Sequence, residues 1–345
     1  MEKPVELGLD TFGDVTLGAD GKPLPHHQVI RDVVEEAVLA DKVGVAFFGV
    51  GEHHRSDFAI SAPEVVLAAI AARTEQIQLG SAVTVLSSDD PVRVFQRFAT
   101  LDAVSDGRAE IIVGRGSFTE SFPLFGFPLE SYELLFEERL DLFAELLTQR
   151  RVTWSGRTRA SLEDQAVFPR IASGRLPTWV GVGGSPQSVV RAAKYGLDLM
   201  LAIIGGPARR FSQYVSLYHR SMAEFGHAPG RVGMHSPGHV ADTDSQAIEQ
   251  MWPHYSDMMT RVGAERGWPP MGRDQYEHEV VHGSLYVGSP ETVARKIADT
   301  VKALGVDRFD LKYSAGTLPH DQLMRCIELF GTRVIPMVHE LLAAG

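Results

Sequence analysis

The sequence predicts a (β/α)₈ barrel. Short apolar runs alternate with helical stretches along the whole chain, and four of those runs start directly after a helix closed by glycine. A doubly wound open sheet is the competing architecture, and the absence of its glycine-rich fingerprint after the first run argues against it. Strands are read at Val5–Asp10, Val45–Gly51, Ile77–Val85, Arg108–Val113, Thr178–Val182, Leu197–Ile204, Val232–His239 and Arg308–Tyr313. Parallel strands need helix-length crossovers between them, and closure of the sheet leaves no edge exposed. Residues 1–345 read as a single barrel domain, with no low-complexity tract and no linker.

The first helix is expected over Gln28 to Val43, where Val29, Val33, Ala37 and Ala40 recur at helical spacing. Gly44 closes it, as Gly107, Gly196 and Gly305 close later helices just before a strand. Helix starts are marked by proline at Ala62-Pro63, Asp90-Pro91, Ser185-Pro186, Gly206-Pro207 and Ser289-Pro290, where a missing N–H costs least. Asp90, Ser185 and Ser289 sit in the capping position. Further helices show one apolar face each, through Phe136, Leu140, Phe143 and Leu147 and through Leu323, Ile327, Phe330 and Val334.

Three stretches depart from the repeat and are expected as loops over the barrel mouth: Thr16 to His27, the Phe- and Gly-rich Ser117 to Ser131, and Gly263 to Ser284 with Trp268, Pro269 and Pro270. Arg151 to Phe168 is expected to add a small hairpin.

A chain of 345 residues with 44% hydrophobic content can bury a large core without disulfides. Cys326 is the only cysteine, set in an apolar helical pattern, so no intrachain disulfide can form and a reducing compartment fits. The formal charge of -11 argues against sequence-independent binding to nucleic acid or to an anionic membrane. The N-terminal residues carry no signal pattern and no apolar run approaches about 18 residues. A cytoplasmic protein acting on small molecules is expected.

Chemistry concentrates in Gly51-Glu52-His53-His54, directly after an apolar strand. Strand alternation turns His53 and His54 to different directions and keeps Glu52 and His54 on one side. Arg115, between Gly114 and Gly116 at the end of the fourth strand, suits an anion clamp. Gly181-Val182-Gly183-Gly184-Ser185-Pro186-Gln187-Ser188 leads glycines into a helix start, where free N–H groups and the helix dipole favour phosphate. A metal centre built from His26, His27, Glu52, His53 and His54 is disfavoured, because adjacent imidazoles diverge and no His-x-x-x-His spacing is present. His235, His239 and His282 are further histidines within possible reach of the mouth.

The Gly51–His54 run, the strand Gly80-Ser81-Ala82-Val83 leading to Asp90-Pro91-Val92-Arg93, the run Leu101 to Arg108, and Gly114-Arg115-Gly116 resemble, in order, the signatures of the bacterial luciferase-like flavin monooxygenases. The closing segments Gly288-Ser289-Pro290-Glu291 and Glu328-Leu329-Phe330 are similar too. The resemblance implies a barrel that binds reduced FMN, supplied by a separate flavin reductase, at the C-terminal mouth of the strands. It implies a flavin hydroperoxide that oxygenates a small organic substrate, and a homodimer associating through helices near the second and third strands. By the same resemblance His53 is the catalytic histidine beside the flavin ring and Glu52 supports the ring's surroundings. Ala82 and Val83 match a bulged strand with a non-prolyl cis peptide beneath the flavin. Arg115 matches the phosphate arginine, and Gly183, Gly184, Ser185 and Ser188 match the phosphate loop. Light-emitting members differ where this chain has Gly114 and Ile203, so light emission is not expected. Two alternatives stay open: a deazaflavin-dependent hydride-transfer enzyme on the same barrel, and a non-catalytic flavin-binding protein.

Overall fold

The structure is a computed structural model that describes residues 4–116 and 118–344; Met1, Glu2, Lys3, Ser117 and Gly345 lie outside the described residues. The chain begins with β1 (Glu6–Thr11), α1 (His26–Lys42), β2 (Phe47–Val50), α2 (Pro63–Ala71), β3 (Gln78–Val85), α3 (Pro91–Val104) and β4 (Ala109–Gly114). A short α4 (Ser121–Phe125) and the long α5 (Tyr132–Thr148) follow, then a hairpin of β5 (Val152–Trp154) and β6 (Leu162–Gln165). Next come β7 (Thr178–Val182), α6 (Pro186–Lys194), β8 (Asp198–Ala202), α7 (Ser212–Glu224) and β9 (Val232–Val240). The chain ends with α8 (Asp244–Arg266), α9 (Arg273–His282), β10 (Tyr286–Gly288), α10 (Pro290–Leu304), β11 (Arg308–Lys312), α11 (His320–Leu329) and α12 (Ile335–Ala343).

Strands β1, β2, β3, β4, β7, β8, β9 and β11 pair in parallel and close, with Glu6 of β1 opposite Arg308 of β11. This is the expected (β/α)₈ barrel, and its eight strands fall where the sequence places them to within a few residues. The short β10 extends the end of β9, pairing Tyr286 with Gly238. Its three residues are too few to show a periodicity.

Pro63, Pro91, Pro186 and Pro290 each open a helix, as their missing N–H allows. Asp90 accepts from the Val92 and Arg93 amides and Ser289 from Thr292. Ser185 does not cap its helix: its hydroxyl lies 3.0 Å from Gln187 Oε1, which leaves the amides at the start of α6 without a side-chain cap.

The expected loop from Gly263 to Ser284 is corrected by the structure. α8 runs through Gly263 to Arg266, Gly267 ends it in the left-handed region at φ 70°, and α9 occupies most of the remainder. The mixture of Gly, Pro and charge hides these helices, because α9 buries only Tyr276 and Val280 and so has almost no apolar stripe.

One large apolar layer packs the outward strand faces against the helices. Inside the barrel a separate cluster contains Phe47, Ala82, Ile112, Trp179 and Met200. Arg308 is wholly buried there, 3.4 Å above the Phe47 ring, bonded to Glu110 and, at 2.8 and 2.9 Å, to both oxygens of Asp310. Gly8 is required beside it, since a Cβ at that position would come within 2.2 Å of Asp310 Oδ1.

Candidate active site

The C-terminal ends of parallel strands all open on one face of the barrel, so the residues after β2, β3, β4 and β7 share a mouth. β2 ends at Val50 and turns at Gly51, where a Cβ would lie 2.3 Å from Phe12 Cδ1 and 2.9 Å from the Ala82 carbonyl. Only glycine fits that approach. The His53 amide then donates to the Ile60 carbonyl at 3.0 Å and fixes the loop.

His53 stands in an aromatic enclosure. Its ring stacks on Phe58 at 4.5 Å and meets the edges of Phe12 at 4.9 Å and Phe118 at 5.0 Å. Its side chain is 11% exposed, with Nδ1 3.1 Å from Glu120 Oε1. Burial pushes the Glu120 carboxyl up, but the bonds from His53 and the His54 amide more than offset it, and the group sits below its ordinary value. An ionised carboxylate only accepts, so the proton of a neutral His53 lies on Nδ1 and Nε2 is the basic atom.

Glu52 and His54 share a side, as alternation requires. His54 Nε2 donates to Glu52 Oε1 at 2.9 Å, while Glu52 Oε2 accepts the Val85 amide at 2.8 Å. Glu52 therefore ties the loop after β2 to the end of β3.

In β3 the Ala82–Val83 peptide is cis, and the register against β4 shifts between Ala82 and Thr84. Val83 reaches into the space that side chains at 114 and 181 would fill: a Cβ on Gly114 would lie 2.8 Å from Val83 Cγ2, and one on Gly181 3.1 Å from Val83 Cγ1. A Cβ on Gly183 would meet nothing within 4 Å. Val83 thus covers Gly114 and Gly181, while the backbone at Gly183 is open.

Arg115 does reach an anion. Its Nη1 bonds Glu133 Oε1 at the start of α5, and Arg191 Nη2 of α6 reaches Glu133 Oε2 at 3.2 Å. Ser188, one turn earlier on α6, is 3% exposed with its Oγ unpartnered, and Arg191 Nη1 is likewise buried without a partner. Gly184 has φ 118°, and its carbonyl accepts from Tyr214 at 2.8 Å. The predicted residues Arg115, Gly183, Gly184 and Ser185 thus lie along two loops of the same mouth, with Ser188 in the first turn of α6.

Of the phenylalanines in the stretch expected to cover the mouth, Ser117 to Ser131, Phe118 and Phe125 pack on His53 and His54, whereas Phe122 is buried against Tyr132 and Phe127 lies under Arg139. Phe118 is held between the guanidinium groups of Arg55 and Arg266, at 5.0 and 4.9 Å. Arg55 also bonds Asp57 and Glu265, so the end of α8 is tied to the loop after β2. His235 faces the barrel interior with Nδ1 2.6 Å from Asp10 Oδ2; burial lowers its pKa but Asp10 outweighs that, and the net shift is upward. His239 is buried on Gln250, and His282 packs near His278. Among the described residues no group of three or more His, Cys, Asp or Glu is placed to hold a metal ion.

Three site residues escaped sequence reasoning. Arg191 follows Ser188 by three positions, a helical neighbour that spacing alone reveals. Glu120 and Glu133 carried no local signal.

Fold and site define a barrel enzyme with a histidine–carboxylate pair and an anion cluster on one mouth. Residues 11–308 match the family described as luciferase-like monooxygenase, and the chain belongs to that family and is an oxidoreductase. It is 29% identical to 4-hydroxyprotoasukamycin monooxygenase of Streptomyces nodosus subsp. asukaensis, over 93% of this chain and 92% of that one. Its fold is shared by monooxygenase RslO1 of Streptomyces bottropensis, with TM-score 0.83, 23% identity and coverage of 96% and 99%. It is also shared by the oxygenating constituent of 3,6-diketocamphane monooxygenase of Pseudomonas putida in complex with FMN, with TM-score 0.77, 19% identity and coverage of 97% and 99%. The coenzyme F420-dependent tetrahydromethanopterin reductase of Methanopyrus kandleri has the same fold too, with TM-score 0.74, 19% identity and coverage of 97% and 99%.

Proposed function

We propose that the protein is a monooxygenase that takes reduced FMN from a separate flavin reductase and uses it with oxygen to oxygenate a small organic substrate, without emitting light. The observation that carries this reading is the sharing of one barrel mouth by the enclosed His53–Glu120 pair and the Arg115–Arg191 anion cluster. A flat ring system with a phosphate tail suits that arrangement. Val83, packed over Gly114 and Gly181, and the open backbone at Gly183 offer a surface for the ring, and Arg115, Arg191, Ser188 Oγ and the Gln187 amide at the start of α6 offer donors for the phosphate.

Reduced FMN, when bound, supplies the electrons that activate oxygen. The chain does the rest. Arg115, Gly183, Gly184, Ser185 and Ser188 hold the phosphate end, Glu52 fixes the loop that carries His53, and Glu120 keeps the Nδ1 proton in place. His53 Nε2 then accepts or returns a proton at the reacting atoms. Phe12, Phe58 and Phe118 keep water from that atom, and the Arg55–Glu265 tie holds the cover shut. The resemblance sets Gly114 and Ile203 against other residues in light-emitting members, and dark oxygenation is the reading that follows.

No helix of the described residues is long and apolar enough to cross a membrane. A cytoplasmic homodimer completes the reading. Val65, Val104 and Phe168 are 71%, 54% and 67% exposed around a groove of about 500 Å³ on α2 and α3, an apolar surface suited to a second copy.

Anaerobic titration with reduced FMN and, separately, reduced F420 tests the cofactor. Tighter binding of FMN is expected. Preference for F420 would move the protein to deazaflavin-dependent hydride transfer.

A further inference from the structure

We infer that Glu133 is a built-in competitor for the cofactor's phosphate, occupying the Arg115–Arg191 clamp until a phosphate displaces it. The inference rests on the proposed reading that this clamp takes the phosphate of reduced FMN.

Among the described residues Glu133 is the one carboxylate that bonds both guanidinium groups, one oxygen to each. That is how a phosphate would engage them. The two arginines are far from mobile: Arg115 lies over the Tyr132 ring at 5.4 Å and Arg191 over the Phe136 ring at 5.5 Å, and their side chains are 27% and 13% exposed. Tyr132 in turn donates to the Gly116 carbonyl at 2.6 Å and pins the loop that carries Arg115.

Glu133 differs from them. It is 58% exposed, in the first turn of α5, where the helix dipole favours its charge in more than one rotamer. No backbone group holds its carboxylate among the described hydrogen bonds. It can swing into water while the arginines stay.

The donors beside it point to a larger ligand than a carboxylate. Arg191 Nη1 and the Ser188 hydroxyl are buried and unpartnered, with Ser188 only 3% exposed. A carboxylate has two oxygens and both are taken; a phosphate brings three, and the third can reach what Glu133 leaves unmet. A phosphate dianion and the Glu133 anion repel in the same clamp, so one excludes the other. Glu133 thereby keeps the arginines aligned, and offsets one of their two charges, in the free protein. It also sets the affinity low enough for flavin to exchange with a reductase.

The test is anaerobic binding of reduced FMN and reduced riboflavin to the wild-type protein, E133Q and E133A. Expected is tightening of FMN by about tenfold in both variants, with riboflavin unchanged, because only the phosphate feels the removed charge. Unchanged or weaker FMN binding in both variants would overturn the inference and make Glu133 a positioning residue for the arginines. Equal binding of FMN and riboflavin by the wild-type protein would instead overturn the phosphate clamp itself, and the inference with it.

Discussion

Nδ1 of His53 and Oε1 of Glu120 lie 3.1 Å apart, joining the loop after β2 to the segment before α4 across 67 positions. A histidine whose Nδ1 is fixed by an ionised carboxylate presents Nε2 with a defined role. His53→Ala is expected to bind reduced FMN as before and lose productive turnover by about 10²- to 10⁴-fold, measured as product formed per oxygen consumed. Full coupled turnover in this variant would contradict the role given to His53.

Glu120 acts through His53. Glu120→Gln is expected to lower kcat by roughly 10- to 100-fold with flavin affinity retained, and to move the pH dependence of kcat, since the amide carries no charge and its NH2 can donate to Nδ1 and reverse the tautomer. A purely structural Glu120 would lower stability and leave the pH profile in place.

Arg115→Ala removes one arm of the anion clamp. Charge-assisted hydrogen bonds are worth about 1.5–3 kcal/mol, so reduced FMN should bind roughly 10- to 150-fold more weakly, with riboflavin little affected. An equal loss for both ligands would place Arg115 outside the phosphate site.

Arg308→Met tests the barrel interior. The substitution leaves Glu110 and Asp310 buried without their shared partner, and loss of one member of a buried ion network costs about 3–5 kcal/mol. Urea unfolding is expected to show a lower midpoint with an unchanged slope.

His320 gives the fold a pH dependence. The bond from its Nδ1 to the buried Glu36, 2.8 Å long, raises its pKa above the ordinary 6.5 despite burial. A raised folded value means that the stabilisation is complete below the unfolded pKa and disappears as pH rises through the folded one. His320→Gln should therefore lower Tm more at about pH 5.5 than at about pH 9, and equal losses at both would remove the pair from the account.

Much of the barrel was legible because its punctuation is local. Gly44, Gly107, Gly196 and Gly305 end helices, and Pro63, Pro91, Pro186 and Pro290 begin them, each by its own backbone chemistry. His53, Glu52 and Arg115 were found because they follow strands directly, and strand ends define the mouth. Partners were not legible. Glu120 lies in an irregular segment with no period, and Glu133 reads as an ordinary acid in the first turn of a helix. α8 and α9 were missed in part because Gly263 and Pro269 look like breakers, while the stripe that would reveal α9 is two residues wide.

The central claim is that this mouth uses reduced FMN to activate oxygen in a closed, dry site. Rapid mixing of the anaerobic protein–reduced FMN complex with oxygen, followed by absorbance, tests it most directly. The account predicts a transient distinct from both reduced and oxidised flavin, outliving the reoxidation of free reduced FMN. Reoxidation at the rate of free flavin with no transient would contradict it.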